Sequence, residues 1–251
     1  MIALTIDDKK VKVEPVATIL KAAREHGIEI PTLCHHEGLS PLANCRLCVV
    51  KITKNGRARV VTSCNYPVEE GLTVETKTDA IVAIRKTIVE LLVARSPNVK
   101  VIRELAQEMG VTAPRFALEN EKCILCGLCV QVCDEYIGAR AITFSGRGTK
   151  KFVSAPLLHS AQDCIGCGAC VEICPAQCIT MQDSEDVKTY YSGRKEEVGP
   201  ARLIHNWNVR VAWKKCKSCG IPFPPPSPME YLSKGQPLPK DFFNACEKCT
   251  H

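Results

Sequence analysis

Aromatic side chains are few in this chain of 251 residues: 6 Phe, 5 Tyr and 2 Trp. So little ring area argues against one large apolar core and for small modules held by something besides hydrophobic burial. A secretory leader is also lacking. Met1-Ile2-Ala3-Leu4-Thr5-Ile6-Asp7-Asp8 reads as strand and turn, with no basic n-region and no cleavage site. No long uncharged apolar run occurs either. The most apolar stretch, Ala80 to Ala94, contains Arg85, Lys86 and Glu90, so it reads as an amphipathic helix and not a membrane span. The glycine fingerprints of nucleotide sites, the G-x-S-x-G elbow and the H-E-x-x-H helix are all missing. These absences lead to the expectation of a cytoplasmic protein with no catalytic residues of its own.

What the chain has is cysteine, 17 of them. An odd count cannot pair fully into disulfides. In the reducing cytosol, dense thiols point to metal. The formal net charge of +6 invites a nucleic-acid reading, supported by Lys214, Lys215 and Lys217. That charge treats every thiol as neutral, however. Four tetrathiolate sites at about −2 each would bring the total to about −2, so the excess Lys and Arg read as compensation for buried anions. With no recognition motif for RNA or DNA, no nucleic-acid partner is expected.

The cysteines fall into four groups of four, with Cys178 left over. The first is Cys34, Cys45, Cys48 and Cys64, spaced C-x10-C-x2-C-x15-C. Around it, Ile2–Ile6 and Val11–Val13 alternate about an Asp7-Asp8-Lys9-Lys10 turn. Pro15 is expected to open a helix with Val16, Ile19, Leu20 and Ala23 on one face and Gly27 at its end. Val49–Ile52 and Arg57–Val61 flank Asn55-Gly56, a hairpin signal, and Leu72–Glu75 reads as a further strand. Hairpin, helix and returning strands suit a β-grasp, and four thiolates in its loops suit a [2Fe–2S] cluster. A zinc site or scattered core thiols are the alternatives.

The second and third groups, Cys123/Cys126/Cys129/Cys133 and Cys164/Cys167/Cys170/Cys174, repeat C-x2-C-x2-C-x3-C. This is the run of two-cluster ferredoxins, in which the fourth Cys of each half ligates the other cluster. Cys123, Cys126, Cys129 and Cys174 are therefore expected to hold one [4Fe–4S], and Cys133, Cys164, Cys167 and Cys170 the other. Gly127, Gly166 and Gly168 would let backbone N–H groups approach the sulfides. The fourth group, Cys216, Cys219, Cys246 and Cys249, forms two C-x2-C knuckles around a proline-rich stretch, Pro222 to Pro228. Zinc is the default for paired knuckles, with a single iron or a further cluster as alternatives. The proline-rich stretch reads as a stiff surface loop. His35 and His36 read as neighbours of the first site and not ligands, His159 and His205 as isolated polar residues, and Cys178 as a buried structural thiol.

The fold class expected is α+β. The division expected is a β-grasp [2Fe–2S] domain over 1–77, a helical linker over 78–113, a two-[4Fe–4S] ferredoxin-like domain over 114–185 and a metal-bound tail over 186–251. Helices are expected over Asp79–Arg95 and Ile102–Met109.

The N-terminal spacing, the repeated cysteine run and Cys133-Asp134-Glu135-x-x-Gly138 together resemble the iron–sulfur N-terminal module of the complex I large peripheral-arm subunit. The same module occurs in multimeric iron-only hydrogenases and NAD-dependent formate dehydrogenases. That family commonly adds a cluster held by one His and three Cys, but residues 65 to 122 here contain neither residue type. The family also continues into a hydrogen-active or pterin domain. Without one, the chain resembles a free-standing small subunit, such as that of the Stn-type electron-bifurcating transhydrogenases. The resemblance implies a non-catalytic electron-transfer subunit of an NAD(P)/ferredoxin transhydrogenase. Its partners would be a flavin- and NAD(P)-binding iron–sulfur subunit, a thioredoxin-like [2Fe–2S] subunit and soluble ferredoxin. A relay subunit of a formate dehydrogenase or hydrogenase complex, or a free polyferredoxin, is the alternative.

Overall fold

The structure, a computed structural model, describes residues 1–156, 161–187, 190–191, 194–195 and 199–249. His159 lies outside them. The chain forms two compact units, one of Met1–His35 with Ser40–Gly127, the other of His36–Leu39 with Leu128–His251.

In the first unit β1 (Ile2–Ile6) and β2 (Lys9–Val13) form a hairpin whose alternate residues Leu4, Ile6, Val11 and Val13 face the core. Asp7 and Asp8 both take positive φ, as a tight two-residue hairpin turn requires. Helix α1 (Ile19–Glu25) follows, then β3 (Val49–Lys54), β4 (Arg57–Thr62) and β5 (Thr73–Glu75). Asn55 (φ 50°) and Gly56 (φ 74°) close the β3–β4 hairpin. The sheet order is β2-β1-β5-β3-β4, with β1 and β5 parallel in the middle. Ile19, Leu20, Ala22 and Ala23 of α1 are fully buried in its core, which makes this a β-grasp. Each large aliphatic side chain so buried contributes roughly 1.5–3 kcal/mol.

The helix begins later than Pro15 suggests. The Ala17 N–H bonds to the Glu14 carbonyl in a turn, and Val16, expected on the buried face, is 94% exposed. Two contacts hold this stretch extended: Val68 N–H to the Ala17 carbonyl and Ile19 N–H to the Tyr66 carbonyl. The helix then starts at Thr18, whose hydroxyl accepts the Lys21 N–H at 3.3 Å. At the other end Gly27 (φ 69°) allows the Ile28 and Gly27 N–H groups to fold back onto the Ala23 and Arg24 carbonyls.

Helix α2 (Asp79–Arg95) matches its expected span, with the Thr78 hydroxyl capping Ile81 N–H. Its buried face is Ile81, Arg85, Val89 and Ala94. Helix α3 (Lys100–Glu108) packs against it.

The second unit opens with α4 (Leu128–Gln131), which runs directly into a single π-helical turn, Val132–Tyr136. Strands β6 (Thr143–Ser145) and β7 (Phe152–Ser154) form a small hairpin, followed by the one-turn helix α5 (Ala169–Glu172). Next come β8 (Met181–Val187), the short pair β9 (Tyr190–Tyr191) and β10 (Arg194–Lys195), β11 (Gly199–Ile204) and β12 (Val209–Ala212). β11 is the centre of the three-stranded sheet β12-β11-β8. The core here is small and is shared by cysteines and side chains such as Ile142, Ile179, Ile204 and Trp207.

The tail adds β13 (Lys214–Lys215), β14 (Pro222–Phe223) and α6 (Met229–Ser233). The proline-rich stretch is no free surface loop. β14 pairs with β13, and Phe223, Pro225 and Pro228 are buried. Leu232 of α6 is fully buried, and its carbonyl lies so close to Gly38 that a Cβ there would sit 2.4 Å from the oxygen.

Candidate iron–sulfur and metal sites

Cys34, Cys45, Cys48 and Cys64 all lie in the first unit, in the loops at one end of the β-grasp. Cys34 Sγ stands 3.3 Å from Cys45 Sγ and also accepts the Cys45 backbone N–H at 3.3 Å. The loop reaches this shape through Ala43 (φ 54°) and Arg46 (φ 58°), two non-glycine residues in the left-handed region. Accepting a hydrogen bond from Cys34 draws the Cys45 thiol down to about 6. Cys64 does the same to Cys48, bringing it to about 7. The two donors, Cys34 and Cys64, are driven up by giving those bonds. The donor set is four sulfurs, three of them buried, which is the chemistry that a soft, thiolate-bound iron centre requires.

Three side chains bond to the backbone of the cysteine loops of the first unit. The Arg85 guanidinium donates to the Leu47 carbonyl at 3.0 Å and the Val49 carbonyl at 2.7 Å, on either side of Cys48. Asn44, next to Cys45, donates its side-chain amide to the Cys126 carbonyl at 3.2 Å. Arg95 donates to the Cys123 carbonyl at 2.9 Å. Cys123 and Cys126 belong to the first unit, whereas Cys129 and Cys174 belong to the second. Leu125 (φ 54°) turns its N–H onto Cys123 Sγ at 3.4 Å.

In the second unit a cavity of about 360 Å³, part of it open to solvent, is lined by Cys133, Cys164, Cys167 and Cys170 together. Cys133 reaches it from the π-helical turn and receives the Ala141 N–H on its sulfur at 3.3 Å. Gly166 (φ 71°) gives its N–H to Cys164 Sγ at 3.4 Å. Burial raises all four thiols, to about 12 at Cys167 and about 11 at Cys170. Such a nest holds four thiolates only with cationic metal among them. One more feature fits a sulfur-rich occupant. The Trp207 indole lines the cavity, and its N–H is buried without a protein hydrogen-bond partner. It lies beside Cys170 on the wall of that cavity.

The loop carrying Gly166 is fixed by Arg202 of β11. Its guanidinium grips Asp183 through two bonds of 2.8 Å and donates to the Gly166 carbonyl at 2.8 Å and the Pro225 carbonyl at 2.6 Å. Arg202 thus ties the cysteine loop, the sheet and the proline-rich stretch together.

In the tail, the sulfurs of Cys216, Cys219, Cys246 and Cys249 lie within 4.8 Å of one another. A tetrahedral ion with sulfur ligands at about 2.3 Å sets neighbouring sulfurs about 3.8 Å apart, so this is a preformed tetrathiolate site. Cys219 and Cys246 already stand 3.7 Å apart. Cys216, taking the Cys246 N–H, is lowered to about 6, while Cys249 is raised to about 12 by its bond with Cys246.

Cys178 is half-buried, not buried as expected, and its sulfur stands 3.7 Å from Cys174 Sγ. His36 accepts the Gly38 N–H, and His205 is exposed. The sequence reading missed Arg85, Arg95, Arg202, Asn44 and Trp207. A signal for Arg85 was present, because Ile81, Arg85 and Val89 follow one another at intervals of four, which puts the arginine on an apolar helix face.

Comparison with known proteins gives two domain matches. The 2Fe-2S iron-sulfur cluster binding domain family matches residues 1–79, and the 4Fe-4S dicluster domain family matches residues 117–181. The alpha subunit of the NADPH-Fe(3+) oxidoreductase of Geobacter sulfurreducens is 34% identical over 173 residues, 59% of this chain and 20% of its own length. An NADH-quinone oxidoreductase subunit of Rhizobium meliloti is 31% identical over 169 residues, 57% of this chain and 20% of its own. The mitochondrial NADH-ubiquinone oxidoreductase 78 kDa subunit of Candida albicans is 29% identical over 174 residues, 59% and 24% respectively. The chain thus spans about a fifth of the length of these relatives. Among solved structures, a chain of an NAD+-reducing [NiFe]-hydrogenase in the H2-reduced state aligns with a TM-score of 0.56 and 30% identity. That alignment covers 62% of this chain and 75% of the hydrogenase chain. With a [2Fe–2S] domain leading into a [4Fe–4S] dicluster domain, the chain belongs to the family of iron–sulfur modules shared by the complex I large peripheral-arm subunit and related oxidoreductases and hydrogenases.

Proposed function

We propose that the chain is a cytoplasmic electron-relay subunit of a multi-subunit flavin- and NAD(P)-dependent oxidoreductase, and specifically of an electron-bifurcating NAD(P)/ferredoxin transhydrogenase. The observation that carries the relay reading is the cavity in which Cys133 meets Cys164, Cys167 and Cys170 across 31 residues of sequence. That meeting supports the crossed ligation expected of a two-cluster ferredoxin. On this reading Cys34, Cys45, Cys48 and Cys64 hold a [2Fe–2S] cluster. Cys123, Cys126, Cys129 and Cys174 hold one [4Fe–4S], and Cys133, Cys164, Cys167 and Cys170 the other. The tail thiols hold a zinc that closes the fold. The expected division at residues 77, 113 and 185 assigns one domain to each role, with 78–113 as the linker.

Iron–sulfur clusters, when bound, take up and release single electrons. The chain's part is to hold the sulfurs, aim N–H groups at them and keep water out. Gly166, Leu125 and Ala141 present backbone N–H groups to cysteine sulfur, and apolar side chains such as Ile142 and Ile204 close the cavity. Among the described residues no helix is long and apolar enough to cross a membrane. Flavin and nucleotide sites would then lie on partner chains, a flavin- and NAD(P)-binding iron–sulfur subunit and a thioredoxin-like [2Fe–2S] subunit, with soluble ferredoxin as a terminal partner. The likeness to the hydrogenase chain favours a hydrogenase relay as the second reading.

The test is anaerobic purification of the native assembly, identification of every co-eluting chain and metal analysis. The reading expects about ten cluster irons and one further metal per chain. A protein that elutes alone would refute the subunit reading and favour a free carrier. Iron near four per chain would refute the cluster count.

A further inference from the structure

Arg85 is buried, with 6% of its surface exposed, and lies on α2 beyond the last residue of the matched [2Fe–2S] domain. Among the described residues its guanidinium makes two hydrogen bonds, both to neutral carbonyls, and no ion pair. A buried cation with no counter-charge is strongly disfavoured and would not normally be kept on the apolar face of a helix. Two anions are near enough to act on it, Cys48 and Asp7. The Asp7 carboxylate is already engaged by the Thr76 N–H at 2.7 Å and by the Thr76 hydroxyl. Asp7 makes no ion pair with Arg85, and of the two groups only Cys48 sits on the loop that Arg85 grips. The two carbonyls that Arg85 grips belong to Leu47 and Val49, so the positive charge is held directly behind Cys48.

The situation differs at the other buried arginine. Arg202 also grips a carbonyl of a cysteine loop, that of Gly166, but Asp183 neutralises it through a bidentate pair. Arg85 makes no ion pair among the described residues, so no bonded carboxylate cancels its charge where it faces what the four thiols hold.

We propose that Arg85 is the counter-charge and positioning residue of the [2Fe–2S] site: its buried guanidinium fixes the Cys48 loop and raises the cluster's reduction potential by stabilising the more negative, reduced state. This rests on the reading that Cys34, Cys45, Cys48 and Cys64 hold a [2Fe–2S] cluster. A four-thiolate [2Fe–2S] centre gains one further negative charge on reduction, and net charge and burial are among the levers that set its potential. In a low-dielectric setting a fixed positive charge favours the reduced form. The charge is also useful before any electron arrives, because it offsets the thiolates gathered for the metal.

The experiment is an EPR-monitored redox titration of the full chain as wild type, Arg85→Gln and Arg85→Lys, with iron content measured on each. Glutamine keeps a donor to one carbonyl and removes the charge. Lysine keeps the charge and loses the fork. The glutamine variant is expected to show at least a tenfold smaller equilibrium constant for reduction of the [2Fe–2S] centre, about 59 mV lower for a one-electron couple. The lysine variant should retain most of the wild-type value. A glutamine variant that cannot be loaded, beside a lysine variant that loads at the wild-type potential, likewise supports the need for charge. The inference is overturned if the glutamine variant loads and titrates with the wild type. It is equally overturned if lysine falls as far as glutamine, or if neither variant holds the cluster while the wild type does. A wild-type protein with no [2Fe–2S] signal sinks the site reading itself, which is a separate outcome.

Discussion

Replacing Arg202 with methionine tests how far the cysteine loop depends on a side chain remote from it in sequence. Methionine fills much of the same volume and removes every donor. Lost with it are the bidentate pair to Asp183, at 2.8 Å twice, and the bonds to Gly166 and Pro225. Breaking a fully buried ion pair from one side costs about 3–5 kcal/mol. Asp183 is 34% exposed at its side chain, so water recovers part of its solvation and the lower end applies. The two abandoned carbonyls add about 1 kcal/mol each where they stay buried. With both carbonyls left buried a net loss of about 5 kcal/mol is expected, and for a unit of this size that is roughly 15–20 °C in the unfolding midpoint. Circular dichroism under anaerobic conditions gives the midpoint. Loss of visible absorbance on exposure to a chelator gives the release of iron from the Gly166 loop, which should quicken. Arg202→Lys should recover less than half of the stability, since an ammonium cannot serve a carboxylate and two carbonyls in one plane. A midpoint for the methionine variant within about 2 °C of wild type, with unchanged iron release, would refute the reasoning.

Three other expectations can be checked with the same material. Cys133→Ser should diminish the cubane signal that depends on Cys164, Cys167 and Cys170 and leave the other two centres in place; loss of the sequence-adjacent cluster instead would mean that ligation is not crossed. Trp207→Phe keeps the ring and deletes only the unpartnered N–H, so it should lower the potential of that cubane at constant iron content, because hydrogen bonds to sulfur raise it. An unshifted titration would mean that the indole does no more than pack. In the tail, Cys249 is raised to about 12 and burial raises Cys246, whereas a bound metal requires both as thiolates. Metal binding must therefore displace at least two protons near neutral pH, and zinc affinity should climb by at least about two log units per pH unit between pH 7 and 8.5 and fall away as pH drops. Competition against a chromogenic chelator measures this, and a pH-independent affinity would refute it.

Much of this protein is legible in its sequence because its key interactions are local or bear a recurrent spacing. The turn at Asn55-Gly56 sets the register of its hairpin, the first hairpin is legible although its turn is Asp7-Asp8 and not the four residues to Lys10, and Asp79–Arg95 shows its helix through periodicity and a threonine cap. The cysteine groups announce themselves by number. What escaped depends on contacts between distant segments. Pro15 is a sound local signal for a helix start, yet the carbonyl of Tyr66 and the N–H of Val68 hold that stretch extended, and the cap at Thr18 prevails. The proline-rich stretch looked solvent-exposed because its composition says nothing of Arg202, 23 residues earlier, which anchors Pro225. Trp207 could have been singled out as one of two tryptophans, but only the fold brings it beside Cys170. The π-helical turn that carries Cys133 has no signature in composition at all.

Helix α2 acts as a ruler. It carries Arg85, which grips the carbonyls around Cys48, and ten positions later Arg95, which grips the carbonyl of Cys123. At 1.5 Å per residue the two anchors lie about 15 Å apart along the axis and at a fixed angle around it. Inserting or deleting one residue between them would turn one arginine by about 100° and release its loop, even if the helix itself remained intact. The length of this segment is therefore as constrained as its chemistry. Substitutions on its exposed side, such as at Val82 or Leu91, can be absorbed. A change of count between the two arginines cannot, and related chains that keep both anchors would have to keep the ten-residue interval.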